Sequence, residues 1–210
     1  PWYLIEKKIE KILKFSTSKF IFSEKPISLS KQKLNHISKT SINLKKNLFI
    51  LYNRRSYKIF KVIKKNINKN KLISFRMSIS EREKQIIKIH STKIIGNIKY
   101  HLTSHWIDLV MWLFNIKKLT VKKYQNSYKI FHNKKLMIDL DYLGTHPIET
   151  EFHFNKFQFK TKTLEKLYLI KNNKKKMIIN ENKLNNFKPG LLNTSQKIVN
   201  HVLSKKQNDK

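Results

Sequence analysis

The first 70 residues alternate short apolar runs with amphipathic segments, and this alternation limits the fold more than any other feature. Two apolar runs, 19–22 and 48–51, have the length and composition of buried strands. Around them, apolar side chains recur at helical spacing over 2–14 and 56–69, and Ser28 and Ser30 are candidate N-caps for a further helix over 31–41. This order predicts a parallel sheet with crossover helices. Polar or charged residues follow both runs, where open α/β sheets bind their ligands.

The remaining sequence is richer in strands. Residues 71–79 alternate as a strand, 80–101 have no regular period and predict a functional loop, and 101–115 are strongly helical. Strand-like segments dominate from 118 to 179, and a last helix is predicted over 190–204. The pattern predicts an α+β part, an open, largely antiparallel sheet with helices on one face.

The net charge of +33 does not by itself indicate a nucleic-acid-binding protein. Of 46 basic residues, 42 are Lys and four are Arg, whereas nucleic-acid surfaces use the planar guanidinium for phosphates and base edges. The lysines are also dispersed, so we interpret the charge as coding bias on solvated faces. A basic nucleic-acid-binding or ribosome-associated protein is kept as an alternative function.

Cysteine and glycine usage excludes several kinds of site. The chain has no Cys, so it has no disulfide framework and no thiolate metal site. Its three glycines, Gly96, Gly144 and Gly190, are too far apart for a glycine-rich phosphate loop. No signal peptide or 18-residue apolar span is evident, which predicts a cytoplasmic protein without a membrane partner.

Four motifs occur in an order and at a spacing that resemble one known family. FIFSEKP at 20–26 is a strand with polar residues at its end, and YNRR at 52–55 ends the second predicted strand. SHWIDL at 104–109 lies on the predicted helix, and KPG at 188–190 precedes the last one. Together they resemble the glucose–fructose oxidoreductase / inositol dehydrogenase (Gfo/Idh/MocA) family.

The resemblance implies a Rossmann domain that binds NAD or NADP and a second domain with an open sheet. We therefore expect residues 1–55 to form the C-terminal half of a Rossmann domain, and 56–210 to form an α/β sheet domain with the substrate and dimer face. The family's glycine-rich turn has no counterpart here, so the resemblance implies an N-terminally incomplete member. We expect this chain alone to be inactive and to bind NAD weakly or not at all.

The resemblance also assigns roles to particular residues. Lys25 corresponds to the amine near nicotinamide and substrate, Glu24 lies near the nicotinamide ribose, and Pro26 shapes the turn, with a cis peptide as one option. His105 corresponds to the general acid/base. The implied reaction is hydride transfer between nicotinamide and a sugar or nucleotide-sugar. Beside a cationic nicotinamide, the pKa of Lys25 should fall.

Some assignments leave alternatives open. His101 stands where family members often carry Asp or Asn, so either it contacts substrate or the catalytic pair is degraded. His101 and His105 could also be structural, or form an i, i+4 metal pair, but no third ligand can be assigned and no metal site is predicted. Arg54 and Arg55 either contact cofactor or substrate, or pair with carboxylates. Asp108 is expected to cap a helix or form a salt bridge.

The same interpretation predicts where the aromatic side chains lie and which partners the protein binds. Trp106 and Trp112 are predicted core residues, and the Phe152–Phe159 stripe is either sheet core or a dimer face. We expect a homo-oligomer formed through the open sheet, acting on sugars for surface polysaccharide synthesis. A non-catalytic scaffold with the family fold is a further alternative.

Overall fold

The computed structural model describes residues 4–28, 30–89, 98–181 and 190–208. The helices are α1 (Ile5–Phe15), α2 (Lys31–Asn43), α3 (Lys58–Lys69), α4 (Glu83–Ile89), α5 (Ile98–Phe114) and α6 (Leu191–Asn208), and a short 3-10 helix spans Asn53–Ser56. The strands are β1 (Phe20–Glu24), β2 (Asn47–Leu51), β3 (Leu72–Ser80), β4 (Thr120–Lys123), β5 (Ser127–His132), β6 (Lys135–Asp141), β7 (Glu149–Phe154), β8 (Gln158–Lys162), β9 (Lys166–Lys171) and β10 (Lys174–Asn180). Within these ranges, no helix combines the length and apolarity needed to cross a membrane.

The first unit is a two-stranded parallel sheet of β1 and β2, as the alternation of runs predicts. Helices α1 and α2 supply Ile9, Leu13 and Ile37 to a core that also contains Ile21 of β1. Ser30 starts α2, because its hydroxyl accepts a hydrogen bond from the backbone N–H of Lys33 at 3.4 Å. The parallel pairing brings the carboxyl ends of β1 and β2 to the same edge.

The second unit is an eight-stranded sheet in the order β10-β9-β8-β7-β3-β6-β5-β4. Strands β3 and β6 pair in parallel and the other neighbouring strands pair antiparallel. Helices α3 and α5 supply Phe60, Trp106 and Leu109 to the core on one face, opposite Met77 and Phe152 of the sheet. The predicted open, largely antiparallel sheet with helices on one face is confirmed.

The aromatic stripe and the tryptophans belong to this core. Phe152, Phe154 and Phe159 are at most 5% exposed, so the core interpretation of the stripe is correct. Trp106 is fully buried, and Trp112 packs against the same cluster while half-buried. The strong α5 hydrophobicity therefore serves packing between helix and sheet.

The predicted loop over 80–101 is wrong where the structure describes it. Helix α4 occupies Glu83–Ile89, and α5 already begins at Ile98. The side chains of Ile86 and Ile87 pack against the main core. Such a short helix is stabilised by tertiary packing rather than by its own periodicity, so the sequence pattern missed it. Residues 90–97 lie outside the described part of the chain.

A remote carboxylate caps helix α3. Glu181, directly after β10, is buried, and its Oε1 accepts a hydrogen bond from the backbone N–H of Lys58 at 2.5 Å. The residue before the helix, Tyr57, makes no side-chain cap of its own. The first turn of α3 therefore depends on a residue 123 positions away in sequence.

The 3-10 helix is the meeting point of the two units. Asn193 donates to the backbone oxygen of Ser56 at 3.2 Å, and Thr194 donates to the Ser56 hydroxyl at 2.9 Å, which docks α6 against the turn. Gly190 has φ +83°, and a Cβ there would lie 2.7 Å from the carbonyl oxygen of Asn53. The 3-10 helix contacts α3, α5 and α6, so it packs with elements that follow the predicted domain boundary between residues 55 and 56. That boundary stays a prediction.

We predict that Gly190→Ala lowers the free energy of unfolding by about 2 kcal/mol, because alanine disfavours a left-handed backbone and its Cβ would meet Asn53 and Tyr57. Urea denaturation followed by circular dichroism measures the effect. Gln196→Ala, at an exposed position of α6, is the matched control and should change stability little. Equal effects of the two substitutions would contradict the proposed contact.

Candidate active site

Lys25 is the most unusual residue at the carboxyl end of β1. It follows the exposed Glu24 and is itself only 1% exposed, and its peptide bond to Pro26 is cis. Among the described residues, it is the one lysine in the buried class. Lysine is almost never fully buried unless it is paired, so this amine stands apart from the solvated lysines of the chain.

The surroundings of Lys25 bring its pKa close to neutral, where a side chain can exchange protons with a substrate. Burial lowers the pKa of Lys25 to about 7, and the neighbouring Arg54 guanidinium lowers the pKa as well. The carboxylates of Glu24 and Glu81 act in the opposite direction. Near neutral pH the amine can therefore take up a proton or release one, as a general acid or base must.

Arg54 lies beside Lys25 in a buried cluster with Glu81 and Trp106. Arg54 Nη2 donates to Glu81 Oε1 at 3.1 Å, and Trp106 Nε1 donates to the same oxygen at 2.7 Å. The guanidinium carbon lies 3.6 Å from the Trp106 ring centroid. Burial lowers the pKa of Arg54, and the charge of Glu81 opposes that shift. The contacts hold Arg54 rigidly between β3 and α5.

A second ion pair joins Arg55 of the 3-10 helix to Asp108, three positions after His105 on α5. Arg55 Nε donates to Asp108 Oδ2 at 2.7 Å, and Arg55 Nη2 donates to Asp108 Oδ1. The Tyr52 ring lies edge-on to His105 with 6.5 Å between centroids, and Arg55 stands 5.7 Å from the Tyr52 centroid. Burial raises the pKa of Asp108 despite Arg55, which lowers it. This pair anchors the helix turn that carries His105.

Of the predicted site residues, Arg54 and Arg55 lie in the 3-10 helix after β2, and His105 lies close to Tyr52, the residue before that helix. Arg54 and Arg55 pair with carboxylates, which is one of the two alternatives, and their contact with a cofactor stays a prediction. Asp108 forms the expected salt bridge. Half-buried His105 lies on α5 next to Trp106.

The remaining predictions about this site concern His101 and metal ions. The backbone of His101 lies in α5, but its side chain is outside the described part of the structure. Among the described side chains, no group of three or more metal-ligating residues is close enough to hold an ion. The roles of His101 and His105 in catalysis stay predictions.

Sequence reasoning missed Glu81. The residue directly follows β3, at a strand end, and it is one of only 13 acidic residues in the chain. Those two signals could have identified it, but its partners Arg54 and Trp106 are 27 and 25 positions away. Only the fold brings the three side chains together.

The chemistry of Lys25 is compatible with the nicotinamide end of a dinucleotide. Its buried amine, with a pKa of about 7, is the kind of proton-exchanging group that a dehydrogenase needs beside nicotinamide. A dinucleotide also needs backbone N–H groups of a glycine-rich turn for its pyrophosphate. Gly144 and Gly190 have positive φ values of 67° and 83° in isolated turns, and no sequence in these 210 residues forms such a turn.

The burial of Lys25 predicts a pH dependence of stability. Because the pKa is lowered on folding, the unfolded chain binds the extra proton between roughly pH 7 and pH 10, and stability should rise with pH there. Lys25→Met should remove a slope of about 1 kcal/mol per pH unit from the free energy of unfolding. Chemical denaturation across this range measures it, with exposed Lys31→Met as control. Identical slopes in wild type and Lys25→Met would contradict the lowered pKa.

Comparisons with known proteins support the fold. No family model matches the sequence, and no curated protein matches it. Solved structures do match: the dehydrogenase MviM from Clostridium difficile has a TM-score of 0.68 at 18% identity and covers 98% of this chain and 68% of its own. A Gfo/Idh/MocA family oxidoreductase from Vibrio cholerae has a TM-score of 0.63 at 12% identity, with 100% and 68% covered.

A third match is an oxidoreductase from Agrobacterium radiobacter in complex with NAD⁺, L-tartaric acid and magnesium. Its TM-score is 0.62 at 13% identity, and the match covers 85% of this chain and 58% of that one. Compared with these three proteins, the chain thus spans about three fifths to two thirds of their length. At such identities the likeness concerns the fold, and it agrees with the sequence motifs: the chain has the fold of the Gfo/Idh/MocA family oxidoreductases.

Proposed function

We propose that this chain supplies the nicotinamide- and substrate-facing part of an NAD(P)-dependent oxidoreductase acting on a sugar or nucleotide-sugar. The observation that carries the proposal is the buried amine of Lys25, with its pKa lowered to about 7, at the carboxyl end of β1. Structural neighbours that bind NAD support the cofactor. The sugar class rests on the motif resemblance.

Oxidation of an alcohol removes a proton from the hydroxyl oxygen and a hydride from the carbon that carries it. Bound nicotinamide supplies the hydride acceptor. Neutral Lys25 accepts the hydroxyl proton at Nζ as the carbon–oxygen double bond forms, and a nearby positive charge on the cofactor favours that neutral form. His105, which the motif resemblance assigns as the general acid/base, is the second group proposed to exchange a proton with the substrate.

We also propose that two copies of the chain associate through the open sheet face. This face carries charges of both signs: Lys160 contacts Glu151 at 2.7 Å and Glu149 at 3.5 Å, and Arg76 lies opposite Glu151 on the neighbouring strand. A cleft of about 430 Å³ opens between Arg76 and these carboxylates. A two-fold interface must be self-complementary, and a surface with alternating charges satisfies that requirement.

The proposed function predicts selective but weak binding of nicotinamide mononucleotide. Because the chain offers groups for the nicotinamide end and no pyrophosphate turn, NAD⁺ should bind about as weakly as the mononucleotide. Ligand-observed NMR measures both affinities. Lys25→Met and His105→Ala should each weaken the signal, and Lys31→Met, at an exposed position, should leave it unchanged.

Two results would count against this proposal. Absence of mononucleotide binding, or binding that is unaffected by Lys25→Met and His105→Ala, would rule out the nicotinamide site. Micromolar affinity for NAD⁺ in calorimetry would contradict the expected lack of pyrophosphate recognition. Tight RNA binding that falls steeply with salt would favour the nucleic-acid alternative instead.

The dimer proposal predicts a mass of twice 25.3 kDa in sedimentation velocity. Glu151→Lys should shift the protein towards monomer, because it places a like charge beside Lys160 and Arg76. Glu10→Lys makes the same charge change on α1, away from the sheet, and should leave the dimer intact. A monomeric wild-type protein would refute the interface.

A further inference from the structure

Three side chains from distant parts of the sequence meet at one carboxylate oxygen. Glu81 Oε1 accepts hydrogen bonds from Arg54 Nη2 at 3.1 Å and from Trp106 Nε1 at 2.7 Å. The Arg54 guanidinium also stacks on the Trp106 indole, 3.6 Å from its centroid. Each side chain therefore restrains the other two, and Glu81 is the one that contacts both by hydrogen bonds.

The cluster is buried, so its contacts are strong and their loss is costly. The side chains of Arg54 and Glu81 are 9% and 11% exposed, and Trp106 is fully buried. Inside a protein, a charge that loses its partner keeps its desolvation cost. The main chain is also fixed, because the Glu81 N–H donates to the carbonyl oxygen of Asp141 at 2.9 Å.

This cluster stands directly beside the buried amine. The charged groups that act on Lys25 are Arg54, Glu24 and Glu81. Arg54 repels the ammonium form, whereas Glu24 and Glu81 both attract it, Glu24 more strongly than Glu81. Of the two carboxylates, Glu81 is the buried one, and it is also the one held by Arg54 and Trp106.

We infer that Glu81 is a positioning residue of the site: its carboxylate holds Arg54 and Trp106 in place near Lys25 and adds a buried negative charge to the surroundings of that amine. The strand end, the 3-10 helix and α5 are thereby held in one arrangement, and His105 immediately precedes Trp106 on α5. The inference rests on the proposed function only where it treats Lys25 as the reacting amine.

Glu81→Gln separates the charge of this residue from its shape. The amide oxygen can still accept from Trp106, but the negative charge is gone. The NMR titration midpoint of the Lys25 amine, assigned by its absence in Lys25→Met, should then fall, because a negative charge that favours the ammonium form has been removed. Glu83→Gln, two residues along and paired with Lys99 at 3.6 Å, is the matched control and should leave the midpoint unchanged.

Hydrogen exchange of the Trp106 indole N–H gives the positional readout. Glu81→Gln should keep this N–H protected, whereas Glu81→Ala, which removes the acceptor, should expose it to exchange at least tenfold faster. If Glu81→Ala fails to fold, the near-isosteric Glu81→Gln still decides the electrostatic part. An unchanged Lys25 midpoint in Glu81→Gln, or an equal shift in Glu83→Gln, would overturn the inference.

These readouts do not depend on turnover, so the inference and the proposed function can fail separately. If the Lys25 midpoint falls as expected in Glu81→Gln but the protein does not bind nicotinamide mononucleotide, the proposed function is wrong and the role of Glu81 is retained. If the protein binds the mononucleotide but the midpoint is unchanged, the proposed function is retained and the role of Glu81 is wrong.

Discussion

A single buried carboxylate, shared by a guanidinium and an indole, holds the candidate site together. Glu81 lies at the end of β3 in the large sheet, Arg54 lies in the 3-10 helix after β2, and Trp106 lies on α5. Because this cluster is buried, its hydrogen bonds and charges act more strongly than they would in water. Lys25, at the end of β1, is influenced by this cluster through the charges of Arg54 and Glu81, although burial is the largest cause of its lowered pKa.

The contrast between surface and interior charge explains why so few residues matter to the site. Most of the 42 lysines are solvated, where salt and water weaken their interactions, and they say little about function. A few charges are buried, among them Lys25, Arg54, Glu81, Asp108 and Glu181, and each has identifiable partners or strong electrostatic neighbours. Burial, not the number of charges, selects the residues with unusual chemistry.

Much of the fold was predictable because it depends on local pattern. The two apolar runs became β1 and β2, paired in parallel, and the alternating Phe152–Phe159 stripe became core. The predicted loop over 80–101 was wrong, because α4 is stabilised by contacts with the distant core rather than by its own periodicity. The capping of α3 by Glu181 could not be predicted from local pattern either, because Glu181 and its partner Lys58 are 123 residues apart.

The sequence by itself determined the order of elements, the motif residues at the strand ends and the absence of a glycine-rich turn in this chain, because these are properties of neighbouring residues. Only the tertiary structure decided that Lys25 is buried, that Arg54 and Arg55 pair with Glu81 and Asp108, and that Gly190 must stay small. Burial and ion pairing depend on which distant segments pack together, and the periodicity of the sequence does not specify those long-range contacts.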